Sequence, residues 1–326
     1  MRLLPFVVLP LLLLPRMDRL PPMPRPVLGP DSVVRATPIP LVADDPAVER
    51  VGRLRFLKGW RLENADPAFG SFSAMLVDRD GLVLLNDAGG LVRLALDAQG
   101  NPGAAHFGNL PAGPGGALVK RNRDSESMTR QGGDGPIWVG FENRNAIWRY
   151  APDLSRGERG RAPPEMRRWP VNGGAEAMVR LRSGRFLVFS ERAGQVPGAS
   201  EALLYDRDPT DPAAKARRFS YRPPAGFEIT DAVELPDGRI LALHRGLGIR
   251  PILSAKVSIV DPARIEEGAL LMGDEIATLA PPVAVDNMEA IAVTREQGRT
   301  IVWIASDDNF GYLLQRNLLL KFALEK

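Results

Sequence analysis

Five times along the chain, a side chain able to hold a proton or bind a cation stands just before a small residue and an apolar one. Ser73, Glu126, Glu176, Asp231 and Glu289 precede Ala74-Met75, Ser127-Met128, Ala177-Met178, Ala232-Val233 and Ala290-Ile291. A second set follows 13 to 18 residues beyond each small residue: Asp87, Glu142, Glu191, Arg245 and the pair Asp307-Asp308. Carboxylates crowded together raise one another's pKa or recruit a cation. Hard oxygen donors suit calcium or magnesium. The expected metal ligands are therefore Glu126, Glu176, Asp231 and Glu289, with calcium the leading ion, and Asn172, Asn287 and Asn309 stand close enough in sequence to add amide oxygens. Asp307, Asp308 and His244 are the candidate general bases, His244 being expected to face the same mouth as the acids. Arg192, Arg245, Arg316 and Asn309 are the candidate substrate contacts. The arginines, with Arg123, could equally pair the acids. A plainer role stays open for each acid, since carboxylates at strand ends often accept backbone N–H bonds.

Side chains so far apart in sequence can meet only if the fold repeats around an axis. Each of the five units carries a glycine turn (Gly81, Gly135, Gly184, Gly238, Gly298) and then a β-type run such as "LVLL", "IWVGF", "FLVF", "ILAL" or "IVWIA". The small residues lie 53, 50, 55 and 58 positions apart. Repeats near fifty residues built of short strands point to an all-β fold, a β-propeller. The absence of alternating long helices argues against a βαβ sheet. The two strands of each unit form an antiparallel hairpin, so both sets of acids fall at one edge of the sheet, and rotation gathers them at one mouth of a central channel. The apolar ending "NLLLKFAL" needs a partner, and Val51 to Glu63 could supply it by closing the ring. Five units plus these end strands allow five or six blades. The expected organisation is a leader over 1–40 and a single propeller over 41–326.

Composition narrows the function classes. Net charge is only +3, from 42 basic and 39 acidic groups, with no basic run to suit nucleic acid. No cysteine is present, which removes disulfides, thiol nucleophiles and Cys-ligated zinc. No nucleophile elbow, P-loop, H-E-x-x-H or EF-hand loop occurs. His106 lies in the Gly/Pro-rich stretch "NPGAAHFGNLPAGPGG" and is expected in an exposed loop. At the N-terminus, Arg2 is followed by an apolar run, Leu3 to Leu14, broken by Pro5 and Pro10. That run is too short to span a bilayer as a helix and has the form of a secretory signal. Export to the periplasm or beyond is expected, with an uncleaved interfacial anchor as the alternative. The expected partner is a small anionic or ester substrate, bound by a monomer.

The segments "RDSESM", "WVGFENRNAIWRY", "NGGAEAMVRLRSGRFLVFSE", "ITDAVELPDGRILALHRG" and "DNMEAIAV…SDDNF…QRNLLLKF", running from about Phe69 to Phe322, resemble the phytase esterase-like family of exported, mostly bacterial proteins. The resemblance implies a β-propeller and a hydrolase. The glutamate at the start of each unit also resembles the metal-ligating glutamate of gluconolactonase-like propellers, an analogy at the level of fold. One unit departs from the pattern: it carries His244-Arg245 where the others carry acids. Two functions follow for test, a metal-assisted hydrolase of a phosphoester or carboxylic ester, and a non-catalytic envelope propeller that binds a ligand or protein at the same mouth.

Overall fold

The β-branched and aromatic runs between glycine turns form strands, and the computed structural model, which describes residues 23–29, 33–310 and 315–325, arranges them in five sheets. The chain is a five-bladed β-propeller. Blade 1 comprises Phe72–Asp78, Gly81–Asn86, Gly90–Leu96 and Pro102–Asn109. Blade 2 comprises Ser125–Arg130, Ile137–Phe141, Ala146–Tyr150 and Gly157–Arg161. Blade 3 comprises Ala175–Arg180, Phe186–Ser190, Ser200–Tyr205 and Ala216–Arg222, and blade 4 comprises Phe227–Glu234, Ile240–Leu247, Leu253–Val260 and Asp274–Leu279. On its way between the last two strands of blade 4, the chain adds Leu270–Met272 in parallel to the outer strand of blade 3, tying the two blades together. The innermost strands of blades 1 to 5 stand side by side around the axis, the fifth beside the first.

Blade 5 closes the ring. Asn287–Glu296, Arg299–Asp307 and Asn317–Leu324 come from the C-terminal end, and Leu54–Glu63 and Arg35–Pro38 from the N-terminal end, with Leu319 opposite Trp60 and Leu320 opposite Gly59. The apolar ending is thereby explained. Side chains alternate across a strand, so Leu318, Leu320 and Phe322 enter the core shared with blade 4, while Leu319 and Ala323 enter the core shared with blade 1. Burial on both faces demands a continuous apolar run, and each fully buried leucine contributes about 2 kcal/mol. The one charge in the run, Lys321, holds its ammonium 4.7 Å from the centre of the Trp303 ring and 2.8 Å from Glu296.

The stretch read as leader extends to residue 40, yet its described part is held on the propeller. Arg35–Pro38 is the edge strand of blade 5, Leu28 is buried, and Arg25 donates to Asn109 Oδ1 at 2.7 Å. The signal-like run up to Leu14 lies outside the described residues. Among the described residues no helix is long and apolar enough to cross a membrane. His106 lies on the outer strand of blade 1 rather than in a loop, because the Gly/Pro-rich stretch around it pairs with Gly90–Leu96. Its side chain is exposed as expected.

Candidate functional site

Every innermost strand carries a β-bulge at the same height. The register shifts between Phe72 and Ala74, Ser125 and Ser127, Ala175 and Ala177, Ile229 and Asp231, and Met288 and Ala290. A bulge leaves one residue unpaired and re-aims its side chain. The unpaired residues are Ser73, Glu126, Glu176, Thr230 and Glu289. Four of these, all but Thr230, line one cavity at the mouth of the channel. Asp87, Glu142 and Glu191, each just past the end of its blade's second strand, line it too, as do Arg245 and Asp307, which still pair with Glu228 and Asn287 near the ends of theirs. The cavity is about 200 Å³ in volume and is faced by seven carboxyl groups.

Blade 4 differs from its sequence alignment by one residue. Matching "DA" to the "EA" of other units equates Asp231 with the acids, but the bulge falls at Thr230. Asp231 therefore occupies the position filled by Ala74, Ser127, Ala177 and Ala290 elsewhere. It is buried away from the cavity, where its carboxylate accepts from Ala232 N at 2.8 Å and Ile291 N at 2.9 Å, fastening blade 4 to blade 5. Thr230 donates its hydroxyl to Met288 O at 3.1 Å, as Ser127 does to Ala175 O at 2.8 Å and Ser73 to Ser125 O, so hydroxyls near the bulge stitch neighbouring blades together.

His244 does not face the mouth. It pairs in register with Ile229, one residue before Arg245, and the pleat turns its ring into the interface between blades 3 and 4. There it is fully buried, stacks on Tyr221 and shares a 2.7 Å hydrogen bond between Nε2 and the Tyr221 hydroxyl. Burial lowers its pKa to about 4, so it is a neutral structural side chain. Asp308 also turns away from the cavity. Its Oδ1 accepts from Ser71 N at 3.0 Å, packed against Gly70, whose φ of 123° and lack of a Cβ leave room for the carboxylate. Arg316 pairs with Asp286 at 3.1 Å, outside the ring, and Arg123 donates to the carbonyls of Pro114 and Asn122 rather than to acids. Asn172 and Asn309 line the cavity, and Asn287 reaches Asp307 Oδ2 at 3.2 Å.

Positive charge around the cavity is scarce. Arg245 takes the place of an acid in blade 4 and bridges Glu289 and Glu191, the latter at 2.8 Å. Arg192, at the rim, pairs with Glu191 at 3.1 Å and Glu228 at 3.2 Å. Sequence reasoning missed Lys120 and Asp124, which sit on the linker between blades 1 and 2 and outside the repeat. Lys120 reaches Asp87 at 2.9 Å and Asp124 at 2.6 Å. Burial opposes its charge, but Asp87, Asp124 and Glu126 outweigh that and keep the ammonium protonated.

These cations do not balance the acids. Burial, reinforced by Asp124 and Glu191, pushes the Glu142 carboxyl up to about 8. Burial and then Glu228 push Glu191 to about 7, and burial pushes Glu289 to about 8 despite Arg245. Burial and the Asp87 charge raise Asp307 to about 7. Glu126 and Glu176 are raised well above the carboxylate range, chiefly by burial and then by their acidic neighbours. Two groupings have the spacing of cation ligands: carboxylate oxygens of Glu142, Glu176 and Glu191 lie within 4.8 Å of one another, as do those of Asp124, Glu126 and Glu142. Asp87 Oδ1 is buried with no hydrogen-bond partner. An all-oxygen, acid-rich set with an unsatisfied acceptor fits a hard divalent cation. Of the four ligands expected from sequence, Glu126 and Glu176 lie in these groupings, Glu289 is held by Arg245, and Asp231 lies outside the cavity.

A family model described as phytase-like, "esterase-like activity of phytase", matches residues 67–310. The chain belongs to this phytase-like esterase family. No curated protein matches it. Among solved structures, this family member is similar in fold to the allergen Mala s 1 of Malassezia sympodialis, at 13% identity over 90% of this chain and 96% of that one, with a TM-score of 0.43. It is similarly related to the gluconolactonase XC5397 of Xanthomonas campestris, at 14% identity over 93% and 99%, with a TM-score of 0.43. Likenesses this distant say nothing about ligand or reaction.

Proposed function

We propose that this phytase-like esterase family member is an exported hydrolase whose acidic channel mouth holds a divalent cation, calcium first, and cleaves a phosphoester or carboxylic ester beside it. The observation that carries the reading is the buried Glu142, Glu176 and Glu191 grouping, whose oxygens stand within 4.8 Å of one another. Glu126, Glu142, Glu176 and Glu191 would hold the ion. When bound, the cation would polarise a substrate oxygen and stabilise charge that develops on it. The remaining work falls to this chain's own residues. Asp307 is the base: raised to about 7 and held by Asn309 N and Asn287 Nδ2, it can take a proton from water near neutral pH. Asn309, which lines the cavity, would orient the substrate. Export rests on Arg2 and the Leu3 to Leu14 run.

The test combines a melting scan in calcium and in chelator with a panel of ester and phosphoester substrates. Calcium-dependent hydrolysis that collapses in Glu176→Gln is expected, and full activity in excess chelator rejects the proposal. A non-catalytic ligand-binding propeller is the competing reading, favoured by the withdrawal of His244 from the cavity. It predicts the calcium shift without turnover.

A further inference from the structure

A second hollow, about 830 Å³ in volume, opens beside the acid cavity and shares Arg192, Arg245 and Asn309 with its wall. Its wall is apolar, built by Leu247, Pro251, Ile252, Leu253, Pro281 and Val285. Most of that wall comes from the excursion between the second and third strands of blade 4. Leu247 and Ile252 there are 66% and 62% exposed, large aliphatic side chains left in water at the edge of a polar site. An apolar hollow of this size with a few convergent polar groups at one end is the form of a small-molecule site. Among the described residues, each cation at the polar end is already paired with carboxylates. Arg245 is engaged by Glu191 and Glu289, and Arg192 by Glu191 and Glu228, while seven carboxyl groups face them across the acid cavity. Whatever charge a bound cation supplies, a phosphoester would find no unpaired arginine fork among the described residues to receive it.

We infer that the substrate is a carboxylic ester bearing an uncharged apolar acyl or alkyl group. The ester lies at the acid mouth and the apolar group fills the hollow beside Leu247 and Ile252, a contact that a phosphoester such as phytate cannot make. This rests on the hydrolase reading above and narrows it. The reaction adds water across the acyl C–O bond: hydroxide joins the carbonyl carbon, the alcohol oxygen leaves and takes the proton, and acid and alcohol result with no change of oxidation state.

The experiment compares p-nitrophenyl acetate, butyrate and octanoate with p-nitrophenyl phosphate and phytate, using the full chain in calcium. A parallel arm measures binding of a slowly cleaved analogue, the p-nitroanilide of octanoic acid, by calorimetry. The expected result is a kcat/KM that climbs about tenfold or more from acetate to octanoate, and no phosphate release. Ile252→Glu, at an exposed position that keeps the calcium melting shift, brings octanoate down toward acetate and abolishes anilide binding. Preferred turnover of phosphoesters, or ester turnover indifferent to chain length and to Ile252→Glu, overturns the inference while the hydrolase reading stands. No turnover with anilide binding that is lost in Ile252→Glu overturns the hydrolase reading and keeps the apolar subsite. Absence of both turnover and anilide binding overturns both.

Discussion

Raising the pH without a cation should weaken this fold, and calcium should restore it. Glu142 illustrates the magnitude. Its carboxyl titrates near 8 in the folded chain but at its ordinary value of 4.5 once unfolded. Between those values the folded state holds a proton that the unfolded state has lost, so stability is present in full below the unfolded pKa and falls as pH rises through the folded one. One such group costs about 1.4 kcal/mol per pH unit, or about 3 kcal/mol from about pH 5 to about pH 7. Glu191, Glu289 and Asp307 shift the same way. Their effects do not add in full, because protonating one acid in a shared cavity relieves the next. Calcium at about a hundred times its Kd returns about 2.7 kcal/mol, which for a domain of this size is a rise in Tm of about 5 °C. The assay is thermal unfolding followed by circular dichroism across pH, in chelator and in calcium. The chelated protein should melt lower as pH rises above about 5 and the calcium-bound protein should not. A chelated Tm that is flat or rising from about pH 5 to about pH 8, with no calcium effect, refutes the reasoning.

Three substitutions separate the roles of neighbouring groups. Arg245→Ala leaves Glu289 buried without its counter-charge and Glu191 with Arg192 alone, and should cost about 3–5 kcal/mol in urea unfolding, more at alkaline pH than at acid pH. Asp231→Asn replaces with an amide nitrogen one of the two carboxyl oxygens that accept from Ala232 N and Ile291 N, and should cost about 1–3 kcal/mol while leaving calcium affinity by calorimetry unchanged. Tyr221→Phe strips His244 Nε2 of its partner and should lower stability by about 1–3 kcal/mol without moving the pH profile of any ester hydrolysis.

The repeat was legible because each unit states the same physical needs: a small residue where inner strands crowd, a glycine at the turn, an apolar run for a strand buried on both faces. The closing strand was legible for the same reason, since Leu318, Leu319 and Leu320 make sense only between two cores. What sequence spacing could not supply was the bulge. The bulge leaves Thr230 unpaired, which is why blade 4 aligns by Thr230 and not Asp231, and the register that sets His244 opposite Ile229 leaves Arg245, not its neighbour, at the mouth. An alignment forced to keep the two hairpin strands in step, rather than to match "DA" with "EA", could have exposed the offset. Lys120 and Asp124 gave no such signal, because they lie outside the hairpin strands that define the repeat. Arg316 and Asp308 sit beside ring residues in sequence, yet each is claimed by a local partner, Asp286 and Ser71 N.

The account turns on whether the bulged glutamates and their strand-end neighbours enclose an ion. The most direct measurement is a calcium-soaked crystal examined for anomalous scattering at the channel mouth. The account predicts a peak bridging Glu142, Glu176 and Glu191, at oxygen distances of about 2.3–2.6 Å. Water alone at that position, with the three carboxyls sharing protons among themselves, would contradict it.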